Sequence, residues 1–103
     1  MNYFIELDKL SATETLKGAL LRSANTENLT IAYTDMKAGV EIPMHNHLEE
    51  AVDIILEGIL EMQIGEKFAK GKTGDFFYLG SNILHGIRNV GTKPCMYFAI
   101  QFE

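Results

Sequence analysis

The 103-residue chain holds a single cysteine, Cys95. No internal disulfide is open to it, and a small secreted domain ordinarily carries several, so the residue fits a reducing compartment. Long apolar runs are missing too. The stretch from Val52 to Leu56 is interrupted by Asp53 and falls far short of the roughly 20 apolar residues that a membrane helix needs, which excludes a helical span. Met1 to Glu6 show no basic start leading into an apolar stretch, so no secretory signal is expected and the protein is read as cytoplasmic. Basic residues are few and scattered, nine Lys and Arg against fourteen Asp and Glu, for a formal net charge of −5. Their widest grouping, Lys67, Lys70 and Lys72, lies among glycines and reads as solvated hairpin charge. Nucleic acid is therefore excluded as a partner, because phosphate neutralisation needs a clustered basic surface.

Other absences narrow the chemistry. The chain has no Gly-rich phosphate loop, no Gly-x-Ser-x-Gly elbow and no Cys-x-x-Cys pair, which removes the usual nucleotide, hydrolase and thioredoxin-like readings. Internal repeats, low-complexity tracts and linker-like stretches are also lacking, so residues 1–103 are read as one domain. The remaining composition is globular in balance, with 47% hydrophobic and 22% charged residues.

Turn residues recur at short intervals, at Asn25 to Asn28, Lys37 to Gly39, Gly58, Gly65, Gly71 to Gly74, Gly80 to Asn82 and Gly91 to Pro94. The segments between them are rich in β-branched and aromatic residues. They predict strands over Gly18 to Ala24, Leu29 to Met36, Ala51 to Leu56, Ile59 to Ile64, Glu66 to Ala69, Asp75 to Leu79, Leu84 to Val90 and Cys95 to Phe102. Such spacing belongs to an all-β sandwich or barrel. One short helical turn is expected over Asp8 to Leu16, with Ser11 as cap and Glu14 three residues on.

Three histidines carry the chemical signal. In Pro43-Met44-His45-Asn46-His47, residues two apart in an extended segment share a face, so His45 and His47 converge. Two imidazoles on one side make half of a first-row metal site. His85 opens a later strand and is placed to reach across the barrel to the pair. Gly39, five residues, His45-x-His47 and then Gly58 resemble the first motif of the cupin family; Gly74, five residues, Gly80-x-Asn82, two residues, His85, three residues and Asn89 resemble its second. The middle of the second motif, usually Pro and Gly, is here Gly80 and Asn82, both suited to tight turns.

The resemblance implies a jelly-roll barrel with a metal in its mouth, held by three His and an acidic residue. Of these, His45, His47 and His85 carry over. With six residues between it and Gly58, the position where the family places its Glu is Ala51; with four residues between it and His47, it is Val52. Neither has a donor atom. Asp53 shares the parity of Ala51 and is one substitute, and Glu50 is the other, though parity turns it away unless a bulge intervenes. Taken literally, the site is three histidines with open positions, suited to Fe, Ni, Mn, Zn or Cu and of a charge that favours an anionic or enolate-like ligand. Metal loss with the missing carboxylate is the alternative.

By strand parity, Ile87 and Asn89 turn inward with His85, and Phe76 and Tyr78 alternate on the preceding strand. Ile87 and Phe76 read as core, whereas Tyr78 and Asp53 bring polar groups suited to the pocket and to proton transfer. Cys95 reads as a small buried hydrophobe and the dispersed Met as core filler. Three functions are compatible with these residues: a metal-dependent isomerase, lyase or dioxygenase acting on a small sugar-derived, carbonyl or enolisable compound; a non-catalytic ligand- or metal-binding or sensing module; or a structural domain with inert histidines. A barrel this small exposes strand edges that a partner covers, and small single-domain cupins resemble one another in forming homodimers, so a homodimer is expected.

Overall fold

A computed structural model describes residues 4–103. After a single 3-10 turn at Leu7–Lys9, the chain forms ten strands: β1 Thr13–Leu16, β2 Ala19–Asn25, β3 Leu29–Met36, β4 Glu41–His45, β5 Ala51–Glu57, β6 Ile59–Ile64, β7 Lys67–Lys72, β8 Phe76–Leu79, β9 His85–Asn89 and β10 Cys95–Phe102. They build two antiparallel sheets, one of six strands in the order β1-β2-β3-β10-β5-β8 and one of four in the order β4-β9-β6-β7. The all-β expectation holds. No helix among the described residues is long and apolar enough to cross a membrane.

The inner faces supply the core. Met36, Ile55, Leu79, Cys95 and Tyr97 from the larger sheet pack with Leu60, Met62 and Ile87 from the smaller. On β6 the alternation read from sequence appears directly, with Leu60 and Met62 buried and Glu61 facing out to pair with Arg88. Gly58 lets the chain turn from β5 in one sheet to β6 in the other within one residue. Its φ of +99° and a site where any Cβ would lie 3.0 Å from Cys95 Cβ favour glycine there.

Three expectations require correction. The helical turn over Asp8 to Leu16 shrinks to Leu7–Lys9, and no side chain caps it; Thr13–Leu16 is instead an edge strand paired with β2. Tertiary pairing wins there because a segment this short cannot hold a helix on local preference, and its two threonines suit a strand. Phe76 is not core but 68% exposed, and Tyr78 on the same face is 61% exposed. The run Phe76-Phe77-Tyr78-Leu79 is apolar or aromatic throughout, so sequence offers no parity, and it is Phe77 and Leu79 that pack inward. The strand β4, which sequence reading passes over, contains Pro43.

Candidate metal centre

β4 lies at the edge of the four-stranded sheet and pairs with β9 through Ile42↔Ile87 and His45↔His85, with a bulge between. Pro43 sits in that bulge. An edge strand tolerates it because its missing N–H breaks no ladder bond, and the bulge re-aims the residues beyond it. His45 is thereby set directly opposite His85, and two residues later His47 leaves the strand end on the same side.

The three rings gather at the mouth of the barrel. Ring centroids lie 4.3 Å apart for His45 and His85, 5.0 Å for His47 and His85, and 5.9 Å for His45 and His47. Their candidate ligand nitrogens all lie within 4.8 Å of one another. His85 is buried, His47 half-buried and His45 exposed, so the group opens to solvent on one side.

Each ring is oriented by the backbone. His45 Nδ1 donates to Pro43 O, His47 Nδ1 to Glu49 O and His85 Nδ1 to Ile83 O, each at 2.8 Å. A carbonyl can only accept, so the proton of each neutral ring is fixed on Nδ1 and the lone pair on Nε2. That is the arrangement by which metal-binding histidines are oriented from behind. Burial pushes the His85 imidazole below its ordinary range, and the two neighbouring imidazoles act in the same direction. The neutral ring that a ligand must be is favoured there. Three neutral donors of this softness fit a divalent first-row metal, each needing roughly 2.1 Å to the ion.

Two hydrogen bonds tie the loops that carry the histidines. Asn82 N donates to His47 O at 2.8 Å, and Ser81 Oγ donates to Leu48 O. Asn82 adopts a φ of +61°, as the turn at Gly80 to Asn82 requires. These contacts are not legible in the sequence, although the turn residues are. Asn89 faces inward as parity expects, but its side chain is committed to the backbone: Nδ2 donates to Met36 O and Lys93 O, and Oδ1 accepts from Gly91 N. It holds the turn before β10.

Ala51 is buried, and the histidine group contains no carboxylate. Asp53, two residues along β5, also faces inward and is 3% exposed. Burial pushes its carboxyl up to about 7, with the nearby His47 pulling in the opposite direction. The structure thus brings Asp53 within electrostatic reach of His47 without placing it among the three histidines. Glu50 and Tyr78 go the other way. Tyr78 Oη donates to Glu50 Oε2 at 2.7 Å on the outer face of the larger sheet, which removes Tyr78 from the pocket. Its register partner is Val52, of opposite parity to Asp53.

Comparison with known proteins agrees with this geometry. Residues 32–101 match the cupin domain family, a span that includes all three histidines. The chain is a cupin. Among solved structures, an RmlC-like cupin from Shewanella frigidimarina NCIMB 400 superposes with a TM-score of 0.87 at 16% identity, over 99% of this chain and 91% of that one. The KdgF protein from Halomonas sp. gives a TM-score of 0.87 at 16% identity, over 98% and 94% of the two chains. The polyketide cyclase RemF from Streptomyces resistomycificus gives 0.86 at 13% identity, over 99% and 80%. At such identities the likeness establishes the fold. No curated protein sequence matches this cupin.

Proposed function

We propose that this cupin is a metal-dependent enzyme acting on a small sugar-derived, carbonyl or enolisable compound, with His45, His47 and His85 as the metal ligands and Asp53 as the proton-transfer group. The observation that carries this reading is the convergence of three imidazoles whose Nδ1 protons are all held by backbone carbonyls. Such orientation serves no packing purpose on an exposed ring such as His45. A bound divalent metal supplies Lewis acidity toward a substrate oxygen.

The chain's own residues do the rest. The three neutral ligands add no negative charge, so the mouth favours an anionic or enolate-like oxygen. Asp53, with a carboxyl raised to about 7 inside the barrel, is divided between its protonated and ionised forms near neutral pH and can give a proton to or take one from a ligand near His47. Isomerase and lyase chemistry use such a pairing of a polarised oxygen with one proton-transfer group. A polyketide cyclase among the structural neighbours supports a carbonyl substrate.

A second reading, a ligand- or metal-binding module without turnover, is favoured by one observation, the methyl of Ala51 where the cupin motif places its carboxylate. The test begins with elemental analysis of untagged protein. We expect close to one divalent metal per chain, loss of thermal stability with EDTA, and loss of metal in His85→Ala. A stoichiometry near zero, with no response to EDTA, overturns the metal reading. In a screen spanning unsaturated uronates and β-diketones, turnover that disappears in both His85→Ala and Asp53→Asn separates the enzyme from the binder.

We also propose a homodimer, supported by the open edges of β1, β8, β4 and β7, which a sizing measurement checks. Cytoplasmic residence is supported by the lone Cys95, which is buried and whose thiol burial pushes up to about 11, so that it stays protonated and inert.

A further inference from the structure

The two sheets differ on their outer faces. On the smaller one a cross-strand row runs Glu41, Arg88, Glu61, Lys70 over β4, β9, β6 and β7, charged at every position. That face is built for water. On the larger sheet one outward row runs Arg22, Tyr33, Phe98, Ile54, Phe76 over β2, β3, β10, β5 and β8, and the row beside it runs Ala24, Ile31, Ile100, Val52, Tyr78. The burial of Asp53, Ile55 and Tyr97 at the alternate positions fixes these rows as outward. Arg22 is the one charged side chain in either row. Strands covered on one face alternate in sequence and strands covered on both do not, which accounts for the nearly continuous apolar runs of β5, β8 and β10.

Part of this face is covered by the chain itself. Ile5, Leu7 and Leu10 lie over the end formed by Arg22, Tyr33 and Phe98. Toward β8 the surface is open, with Phe76 at 68%, Tyr78 at 61% and Phe102 at 41% exposure, and with Val52, Ile54 and Ile100 half-buried between them. At roughly 150–250 Å² for each aromatic side chain, these three aromatics alone expose roughly 350 Å², as much as the largest apolar patch on many monomers. With the aliphatic side chains among them and Ile5 at 48%, the apolar surface approaches the ~800 Å² that each partner gives to a stable interface.

We propose that this face is the contact between two copies of the chain, sheet against sheet about a two-fold axis. This rests on the homodimer reading above and names its surface. Two apolar sheet faces pack about 10 Å apart with their side chains interdigitated. Among the described residues only the larger sheet offers such a face, so the copy that covers it presents the same residues, and the contact closes at two. Charge is distributed as such a contact requires. It is absent from the middle of the patch and stands at the ends, in Arg22, in Asp35 and Glu57 of the end row, and in Glu50, which accepts from Tyr78.

The experiment is sedimentation velocity of the full untagged chain at micromolar concentration, with circular dichroism to confirm folding of each variant. The wild type is expected to be a dimer. Phe76→Glu enters a two-fold contact twice and is expected to weaken association at least a hundredfold, leaving a folded monomer. Phe102→Glu shifts the equilibrium in the same direction and carries the test if Phe76→Glu does not fold. Phe68→Glu, at a residue 60% exposed on β7 of the other sheet, is expected to remain a dimer. A wild-type dimer that persists in the folded Phe76→Glu and Phe102→Glu variants, or that Phe68→Glu breaks, overturns the proposal and leaves the homodimer standing on another surface. A wild-type monomer, whether or not it binds lipid vesicles or another protein through this face, overturns the homodimer reading and this proposal together.

Discussion

Asp53 is a carboxyl group placed where its charged form is poorly solvated, and this has a thermodynamic signature. Its ordinary value is 3.8 and burial raises it to about 7 in the folded chain. Between roughly pH 4 and pH 7 the unfolded chain has lost this proton while the folded chain keeps it, so stability falls as pH rises through that window. Above it, both states are ionised and the penalty levels off. Asp53→Asn removes the titration. In EDTA-treated protein, denaturant unfolding is expected to show the variant gaining on the wild type from pH 4 to pH 7, with a slope on the order of 1 kcal/mol per pH unit, and holding that gain to pH 8. A constant difference across the range would remove Asp53 from its assigned environment. At this scale much is legible in the sequence. The histidines stand out because spacing of two along an extended segment dictates a shared face, and Asp53 because it shares parity with Ala51. Tyr78 is misplaced by sequence reasoning because parity cannot be read from four consecutive apolar or aromatic residues, and Glu50 supplies an outer partner that spacing does not reveal.

Strands with turn residues on both sides are legible, and the two that sequence reading misses each break a local rule. Pro43 argues against a strand, but β4 is an edge with a bulge, where the absent N–H costs nothing. The segment Thr13–Leu16 is too short to declare itself and becomes a strand only because β2 pairs with it. Turns, by contrast, depend on backbone angles that glycine advertises. Gly58 is a constrained one, since a Cβ there meets Cys95 Cβ at 3.0 Å and Cys95 Cα at 3.1 Å, and its φ is +99°. Gly39 has φ +80° but open space around it. Gly39→Ala is therefore expected to cost about 1 kcal/mol from backbone strain alone, and Gly58→Ala roughly 2–4 kcal/mol because β10 must also move. Urea midpoints of the two variants check the order. Equal midpoints would mean that the approach of Gly58 to β10 is not a constraint on the fold.

The order of strands in space differs from their order along the chain, and this decides which segment the molecule depends on. β10, last in sequence, lies between β3 and β5 at the centre of the six-stranded sheet and pairs with both over most of its length. It places Cys95 and Tyr97 in the core, packs Ala99 against it, and sets Ala99 beside Asp53 and Gln101 beside Ala51. The segment before β1 has the opposite character. Ile5, Leu7 and Leu10 lie over a shallow apolar groove with Arg22, Tyr33 and Phe98 on the outside of the same sheet. Removal of residues 95–103 leaves β3 and β5 with facing unpaired edges and opens the core, a loss comparable to the whole stability of a domain, about 5–15 kcal/mol. Such a chain is expected to show no cooperative unfolding by circular dichroism and to take up no metal, although all three histidines are present. Removal of residues 1–10 is expected to keep a cooperative transition, shifted to lower urea, with metal uptake intact. Cooperative folding without β10 would mean that the two sheets form the histidine site independently of the strand that joins β3 to β5, and the barrel would then not be the unit that holds it.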